Sequence, residues 1–335
     1  MTHYLRDVWT AVDKTHPGLG RTTAAILCAC AARRCVLLVG PPGTGKSTAM
    51  SAVGKVFHPA RMMDSLTRAS LRDMAGEMTG FQGLLLIDDL GKEAGFTRLV
   101  TFTTIAEMVY SHFVERHTVN GSFRIDNFQG GAALNVQPAI MHSLVKALEW
   151  DANIQDKVMR YYHLHRPIKH VEEPIVLSSR EMPKYEETEV PARLYSPGSR
   201  LYNIGIVQWG KSRVTVHWRA LLGAAAALDD REKASQADAT ILAELYRPML
   251  TERHLLERTQ FEGGRRYHSL MQHLLVEFAT YGTFGLLELM EDYKLDETQA
   301  FKVMSMGDKY WELLQRKPTV YGPSKEMRDI LKEVD

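Results

Sequence analysis

The strongest constraint on the fold is a glycine-rich segment that joins an apolar run to a helical one. Residues 40–48 read GPPGTGKST and match the pattern G-x-x-x-x-G-K-[ST]. The five residues before it, CVLLV over 35–39, form a short continuous apolar run, and Gly40 follows it directly. Such a run is typical of a strand buried on both faces. Strand, loop and helix in this order predict a phosphate-binding loop.

The residue types in this loop suit a nucleoside triphosphate. Glycines let backbone N–H groups turn inward and approach phosphates without an intervening Cβ atom. Lys46 is placed to reach the β- and γ-phosphate oxygens, Ser47 to ligate Mg²⁺, and the helix N-terminus favours an anion. The residues predicted to contact the nucleotide are Gly40, Pro41, Pro42, Gly43, Thr44, Gly45, Lys46, Ser47 and Thr48.

A second apolar run, GLLLIDDL over 83–90, ends in two aspartates about 40 residues after the loop. Asp88 is predicted to hold the magnesium ion through water, and Asp89 to polarise the attacking water. These carboxylates, together with the loop, predict a nucleotide hydrolase that uses Mg²⁺.

Other segments predict the architecture around this site. Residues 22–32 and 99–117 are expected to be helices, and residues 132–136 a third short strand. Strands that alternate with helices indicate an α/β fold with a parallel sheet, whose ligand crevice lies at the carboxyl ends of the strands.

The 335 residues are too many for one ordinary core, and four regions are predicted. They are an α/β nucleotide-binding core over 1–170, an extended connection with a hairpin near Trp209-Gly210-Lys211 over 171–217, a helical lid over 218–258 with Ser235 as a helix N-cap, and a C-terminal helix-turn-helix or winged-helix domain over 259–335. In the last domain, helices are expected at 265–281, 283–294 and 296–314, after a break at Gly263-Gly264.

The segments GPPGTGKST and LLLIDD carry a resemblance to AAA+ ATPases that covers roughly residues 15–250. The stretch LLLIDDLGKE is also similar to bacterial helicase loaders and transposition-helper ATPases of the DnaC/IstB type. Residues 219–248, beginning RALLGAAAAL, resemble the helical lid of MoxR- and MCM-type AAA+ proteins. These two resemblances point to different subfamilies, and both imply adenine as the base.

The resemblance implies roles for three further residues. Asn135, at the end of the third strand, matches the first sensor, which orients the lytic water. Arg160 lies where such proteins place the arginine finger that acts on a neighbouring subunit, with Arg166 and Lys157 as alternatives. Arg219 matches the second sensor, which is an arginine at the start of the lid helix. A homo-oligomeric ring or spiral, expected to be a hexamer, follows from these roles.

The net charge of the chain does not identify its binding partner. Lys and Arg number 41 and Asp and Glu 40, so the net charge of +1 provides no global field for nucleic acid. Residues 251–335 hold 12 basic and 15 acidic residues, a difference of −3, so DNA binding would need a local patch. The leading hypothesis is an ATPase that remodels a DNA–protein complex, such as a helicase loader, replication initiator or transposition helper.

Three alternatives remain. One is a MoxR-like remodeller that docks a protein on its acidic C-terminal domain. A second is a ring motor that translocates on DNA, with a pore loop near Arg124. The third is a switch that binds ATP and hydrolyses it poorly. Charges near the N-terminus and the lack of a long apolar segment predict no membrane contact and a cytoplasmic location, or the host cytoplasm for a viral protein.

Overall fold

The computed structural model describes residues 3–40, 42–89, 95–118, 121–145, 147, 150, 154–163, 171, 173–252, 283–293, 295–306, 311–325 and 328. Five short strands form a sheet beside the glycine-rich loop. The strands of this sheet are β1 (Cys35–Val39), β2 (Ala60–Met63), β3 (Leu84–Ile87), β6 (Gly131–Val136) and β7 (Val158–Tyr162). They lie in the order β2-β3-β6-β1-β7, and every pairing is parallel. The loop strand β1 is therefore flanked by β6 and β7.

Helices cover both faces of this sheet, and a separate antiparallel hairpin is formed by β4 (Val114–Thr118) and β5 (Gly121–Ile125). The helices are α1 (Tyr4–Thr15), α2 (Gly20–Ala31), α3 (Lys46–Val56), α4 (Arg68–Asp73), α5 (Ala75–Met78), α6 (Gly95–Ser111), α7 (Pro138–Val145), α8 (Arg200–Gly205), α9 (Lys211–Leu228), α10 (Gln236–Tyr246), α11 (Leu286–Tyr293) and α12 (Glu297–Met306). None of the helices in these described ranges is long and apolar enough to cross a membrane.

Alternate side chains of each strand enter two different hydrophobic cores, as the pleat of a strand requires. In β1, Val36 and Leu38 belong to the core that α1, α2, α3, α9 and α10 share. Leu37 and Val39 belong to the core on the opposite face, which α6 completes. This double burial explains why β1 and β3 are continuous apolar runs. The α/β class with a parallel sheet that the sequence predicts is confirmed.

The described part of the C-terminal region combines two helices with a small antiparallel sheet. A short strand, β8 (Phe284–Gly285), precedes α11 and α12, and β9 (Trp311–Arg316) and β10 (Thr319–Pro323) follow them. Strand β10 pairs with both β8 and β9. In chain order the described residues of this region thus form a strand, two helices and a hairpin. The predicted helix at 265–281 and the Gly263-Gly264 break lie outside the described residues.

Three predicted elements differ from the structure. The helix expected over 99–117 ends at Ser111, because His112 has a positive φ of 58° that a helix cannot contain, and strand β4 follows. The helix expected over 296–314 ends at Met306, and residues 311–316 form strand β9. The third difference is the hairpin near Trp209.

That hairpin does not form; the chain makes α8 and α9 there instead. Gly210 is the N-cap of α9 and its N–H donates to Asp156 Oδ1, whereas the sequence suggested a hairpin turn. Trp209 and Trp218 are both buried and pack edge to face, with ring centroids 5.8 Å apart. The partial alternation of apolar residues therefore reflects a turn followed by a helix. The predicted N-cap at Ser235 is confirmed by its capping box with Asp238.

Candidate nucleotide site

The glycine-rich loop turns at the carboxyl end of β1 and leads into α3. The N–H of Gly40 donates to the carbonyl oxygen of Val136 at 3.0 Å, which fixes the start of the loop on β6. Gly43 and Gly45 have φ values of 76° and 82°, which residues other than glycine rarely adopt. Gly45 is the N-cap of α3, so the unpaired N–H groups of the first helical turn open into the loop. Pro41 lies outside the described residues.

The end of β7 closes tightly over the first glycine. A Cβ atom at Gly40 would lie 2.3 Å from the carbonyl oxygen of His163, so only glycine fits. The N–H of His163 donates to the carbonyl oxygen of Val39 at 2.7 Å and extends the pairing of β7 with β1 by one residue. The loop is therefore held between the ends of β6 and β7.

Lys46 is buried inside the loop. Its Nζ donates to the carbonyl oxygen of Gly40 at 2.9 Å, and the residue is 8% exposed. Burial lowers the pKa of this ammonium to about 8, although the charges of Asp88 and Asp89 act in the opposite direction. An anion in the loop would stabilise the charged form of Lys46.

The sheet brings a second group of polar side chains to the same edge. Strand β6 lies between β1 and β3, and its Asn135 is opposite Leu38 of β1. Asn135 Nδ2 donates to Asp88 Oδ1 at 2.6 Å and lies 3.4 Å from Ser47 Oγ. One amide thus bridges the serine of the loop and the first aspartate after β3.

These side chains offer the ligands that Mg²⁺ prefers. A hydroxyl and a carboxylate share one amide donor, and Mg²⁺ binds oxygen ligands through one or two carboxylates, substrate phosphates and water. Asn135 is 4% exposed, and within the described chain its buried Oδ1 atom accepts no hydrogen bond. A buried acceptor of this kind calls for a water or ligand donor. The donor set therefore fits a magnesium–nucleotide complex.

Asp89 is half-buried at the same edge of the sheet. Its backbone N–H donates to the carbonyl oxygen of Asp64 at 3.0 Å, which continues the pairing of β2 with β3. Its charge raises the pKa of Lys46, as does that of Asp88. The structure therefore gathers Lys46, Ser47, Asp88, Asp89 and Asn135 around one loop, as the sequence predicts.

Arg160 requires a correction. An arginine finger must reach a neighbouring subunit, but Arg160 is 1% exposed and points into its own chain. Its guanidinium donates to Glu252 Oε1 at 2.7 Å and to the carbonyl oxygens of Gln155 and Gln208 at 2.9 and 2.8 Å. All three guanidinium nitrogens are thus used internally. Arg160 is a structural residue that ties β7 to the segment at 252.

Lys157 and Arg166 were the two alternatives to Arg160 as the arginine finger. Lys157 is 21% exposed at its side chain and forms an ion pair with Glu107 at 3.3 Å. Arg166 lies outside the described residues. No arginine occurs in the sequence between Arg124 and Arg160, so the segment between β5 and β7 offers no other arginine for this role.

Arg219 also differs from its predicted setting. The sequence placed it at the start of the lid helix, but α9 begins at Lys211 and Arg219 is its ninth residue. The side chain is exposed, on a helix that packs against α2. The arginine in the first turn of α9 is Arg213, which bonds to Tyr110 Oη and lies 4.9 Å from that ring. No contact joins Arg219 to the loop among the described residues.

Two residues next to the loop, His163 and Thr22, were not predicted to belong to the site. His163 Nε2 lies 2.6 Å from the carbonyl oxygen of Thr44, and its Nδ1 lies 2.7 Å from Thr22 Oγ1. His163 follows β7, a strand that the sequence analysis did not identify. The signal that was present is a histidine directly after VMRYY, an apolar and aromatic stretch interrupted by Arg160.

Comparison with known proteins adds little to this geometry. No protein-family model and no curated protein matches the chain. A solved structure from Cytophaga hutchinsonii, provisionally described as an ATPase, matches with a TM-score of 0.41 and 11% identity, over 71% of this chain and 84% of that one. A likeness at this level does not bear on activity.

Proposed function

We propose that the protein is a Mg²⁺-dependent ATPase that hydrolyses ATP to ADP and phosphate. The observation that carries this proposal is the hydrogen bond from Asn135 to Asp88, beside Ser47 and the buried Lys46 of a glycine-rich loop. Three separate segments of the chain supply these groups, which makes a chance glycine-rich turn a poor explanation.

Each residue has a role that follows from its position. Lys46 exchanges the Gly40 carbonyl for phosphate oxygens, and the N–H groups at the start of α3 bind the same anion. Ser47 and Asp88 hold the metal, which would neutralise charge on the phosphates. Asp89 accepts a proton from the attacking water, and Asn135 orients that water while it holds Asp88 in place.

Phosphate release from ATP tests this proposal. The wild-type protein is expected to hydrolyse ATP with Mg²⁺ and to lose activity with EDTA. Lys46→Ala should abolish binding of a fluorescent ATP analogue. An active Lys46→Ala variant, or a wild type that neither binds nor hydrolyses ATP, would contradict the proposal.

We further propose that the active form is a homo-oligomer, since AAA+ sites are completed by a neighbouring subunit. Arg160 cannot supply the trans charge, which leaves Lys157 or Arg166. Specific activity that rises with protein concentration would support an oligomer. Activity that stays proportional to the concentration of a persistent monomer would contradict it.

For the target of this activity, we propose a DNA–protein complex. The support is the C-terminal arrangement of two helices and a hairpin, which we interpret as a winged helix whose wing is the β9–β10 hairpin. Arg316 and Lys317 lie at the turn of this wing. Both residues are exposed, and neither has an ion-pair partner among the described residues. Two cations on a wing suit contact with a phosphate backbone. They form the local patch that the overall charge fails to provide.

The double variant Arg316→Glu/Lys317→Glu tests this target. DNA is expected to stimulate wild-type ATPase activity in a way that fades with salt, and the variant should lose that stimulation while it keeps its basal rate. Lys14→Glu/Lys211→Glu is the matched control, since it makes the same change in charge at exposed positions outside the C-terminal region. Stimulation that survives in the wing variant would contradict a role for the wing.

The second candidate is a protein remodeller, as in MoxR-type proteins. The same C-terminal region exposes Leu287, Leu313 and Leu314 by 64%, 45% and 52%. Exposed leucines that form one contiguous surface would suit a protein contact. ATPase activity that no DNA changes would favour this candidate. The ring-motor alternative is weaker, because the guanidinium of Arg124 is paired with Asp126 at 2.7 Å.

A further inference from the structure

We infer that His163 is a positioning residue that sets the direction of the Gly45 N–H in the phosphate-binding loop. This inference rests on the proposed nucleotide function and concerns the same site. It assigns the loop a support from β7 and α2 that lies outside the glycine-rich motif itself.

The imidazole is fixed at both nitrogens. His163 is 1% exposed; its Nε2 lies 2.6 Å from the Thr44 carbonyl oxygen and its Nδ1 lies 2.7 Å from Thr22 Oγ1. A carbonyl oxygen can only accept, so Nε2 must carry the hydrogen. In the neutral ring Nδ1 then accepts from the Thr22 hydroxyl, which can donate as well as accept and so is compatible with this tautomer.

The bond to Thr44 determines how the next peptide group is oriented. Cis peptide bonds in the described chain occur at His58-Pro59 and Lys317-Pro318, so the Thr44–Gly45 peptide is trans. In a trans peptide the C=O and the N–H point in opposite directions. With its carbonyl held by His163, this peptide directs the Gly45 N–H away from the imidazole.

An anchor matters here because glycine is conformationally permissive. Gly43 and Gly45 both have positive φ, and glycine adopts either sign of φ readily, so this peptide has little intrinsic preference for one orientation. A second contact supports the same residue: the Leu19 side chain lies 2.9 Å from the position of a Cβ atom at Gly45. Leu19 and Thr22 both lie at the N-terminal end of α2, so this end of the helix supports the loop twice.

The test compares two replacements of His163 that differ in one donor. The amide of His163→Gln can donate to Thr44 from nearly the place of Nε2, whereas His163→Leu has similar bulk and no donor. In His163→Leu the dissociation constant and KM for Mg·ATP are expected to rise about tenfold, as for loss of one directed hydrogen bond, with kcat nearly unchanged. His163→Gln should recover most of this loss.

His217→Leu is the matched control. His217 is also fully buried, and its Nε2 bonds to a backbone carbonyl, that of Asp156, at 2.9 Å. Asp156 precedes β7, so this bond lies at the end of the strand opposite to His163. His217→Leu is expected to lower the melting temperature and to leave the affinity for Mg·ATP unchanged.

A measurement on the wild type covers the case in which the variants do not fold. Nitrogen-15 NMR of labelled histidine reports the tautomer, and His163 is expected to carry its hydrogen on Nε2. An Nδ1–H tautomer would overturn the inference, as would a folded His163→Leu variant with wild-type affinity. A wild type that binds no ATP would instead overturn the proposed function together with this inference.

Discussion

Asn135 Nδ2 donates a 2.6 Å hydrogen bond to Asp88 Oδ1, across two adjacent parallel strands. The bond joins a residue proposed to orient water with a residue proposed to hold the metal. Because Asn135 is buried in β6, it restrains Asp88 through the sheet itself. The two residues are therefore expected to act as a unit in hydrolysis.

The first prediction concerns Asn135. Asn135→Ala removes the amide that orients Asp88 and water, so kcat is expected to fall by about 10²-fold while KM for ATP changes little. Steady-state phosphate release over a range of ATP concentrations measures both parameters. A rise in KM at constant kcat would show instead that Asn135 contributes to ground-state binding.

The second prediction concerns Asp89. Asp89→Asn removes the proposed base without changing its size, so hydrolysis is expected to slow by about 10²–10⁴-fold while Mg·ATP still binds. Asp64→Asn is the control, because its carboxylate is exposed on the neighbouring β2 side of the sheet. Single-turnover kinetics measures the step directly. An Asp89→Asn variant that hydrolyses ATP at the wild-type rate would exclude this residue as the base.

The third prediction concerns the proton on Lys46. Burial lowers the pKa of Lys46 to about 8 in the free protein, and bound phosphates favour the charged form and raise this pKa again. Binding of Mg·ADP at pH 8 is therefore expected to take up about half a proton. Calorimetry in HEPES and Tris, which differ in ionisation enthalpy, measures the uptake. Equal binding enthalpies in the two buffers would contradict it.

The fourth prediction concerns the buried pair of Arg160 and Glu252. Burial raises the pKa of Glu252 to about 7, above its usual 4.5, and Arg160 only partly opposes this. Between these pH values the folded chain holds a proton that the unfolded chain has lost, so the contribution of Glu252 to the free energy of unfolding falls as the pH rises.

Glu252→Gln keeps a neutral hydrogen-bonding group at this position and cannot lose a proton. Its free energy of unfolding relative to wild type is therefore expected to increase from pH 5 to pH 8. Urea unfolding at several pH values measures this difference. The opposite trend would mean that the attraction to Arg160 outweighs the desolvation of Glu252.

Local patterns predicted the centre of the fold well. Strand β1 was predicted at its observed residues, because a short strand buried on both faces has only apolar side chains and a glycine after it. Strands β2 and β7 were not identified. The outer β2 has exposed side chains, and β7 has an arginine at its centre. Arg160 donates a hydrogen bond to Glu252, 92 positions away, which no local pattern can reveal.

The candidate site could also be predicted only in part from the sequence. The loop and the two aspartates follow from contiguous motifs, and a resemblance supplied Asn135. The contacts of His163 depend on the order of the strands, since only the adjacency of β7 and β1 brings this side chain to Thr44. The misplaced arginine finger has the same origin. Its position along the chain was reasonable, but the direction of its side chain is decided by tertiary packing.

The contact between Gly40 and the carbonyl of His163 has a consequence for how the motif is inherited. A side chain at position 40 would displace the end of β7 whether or not a nucleotide is bound. A descendant of this chain that had lost catalysis would still be selected to keep this glycine for its architecture. Loss of the Lys46 ammonium or the Asp89 carboxylate with Gly40 retained would mark such a descendant.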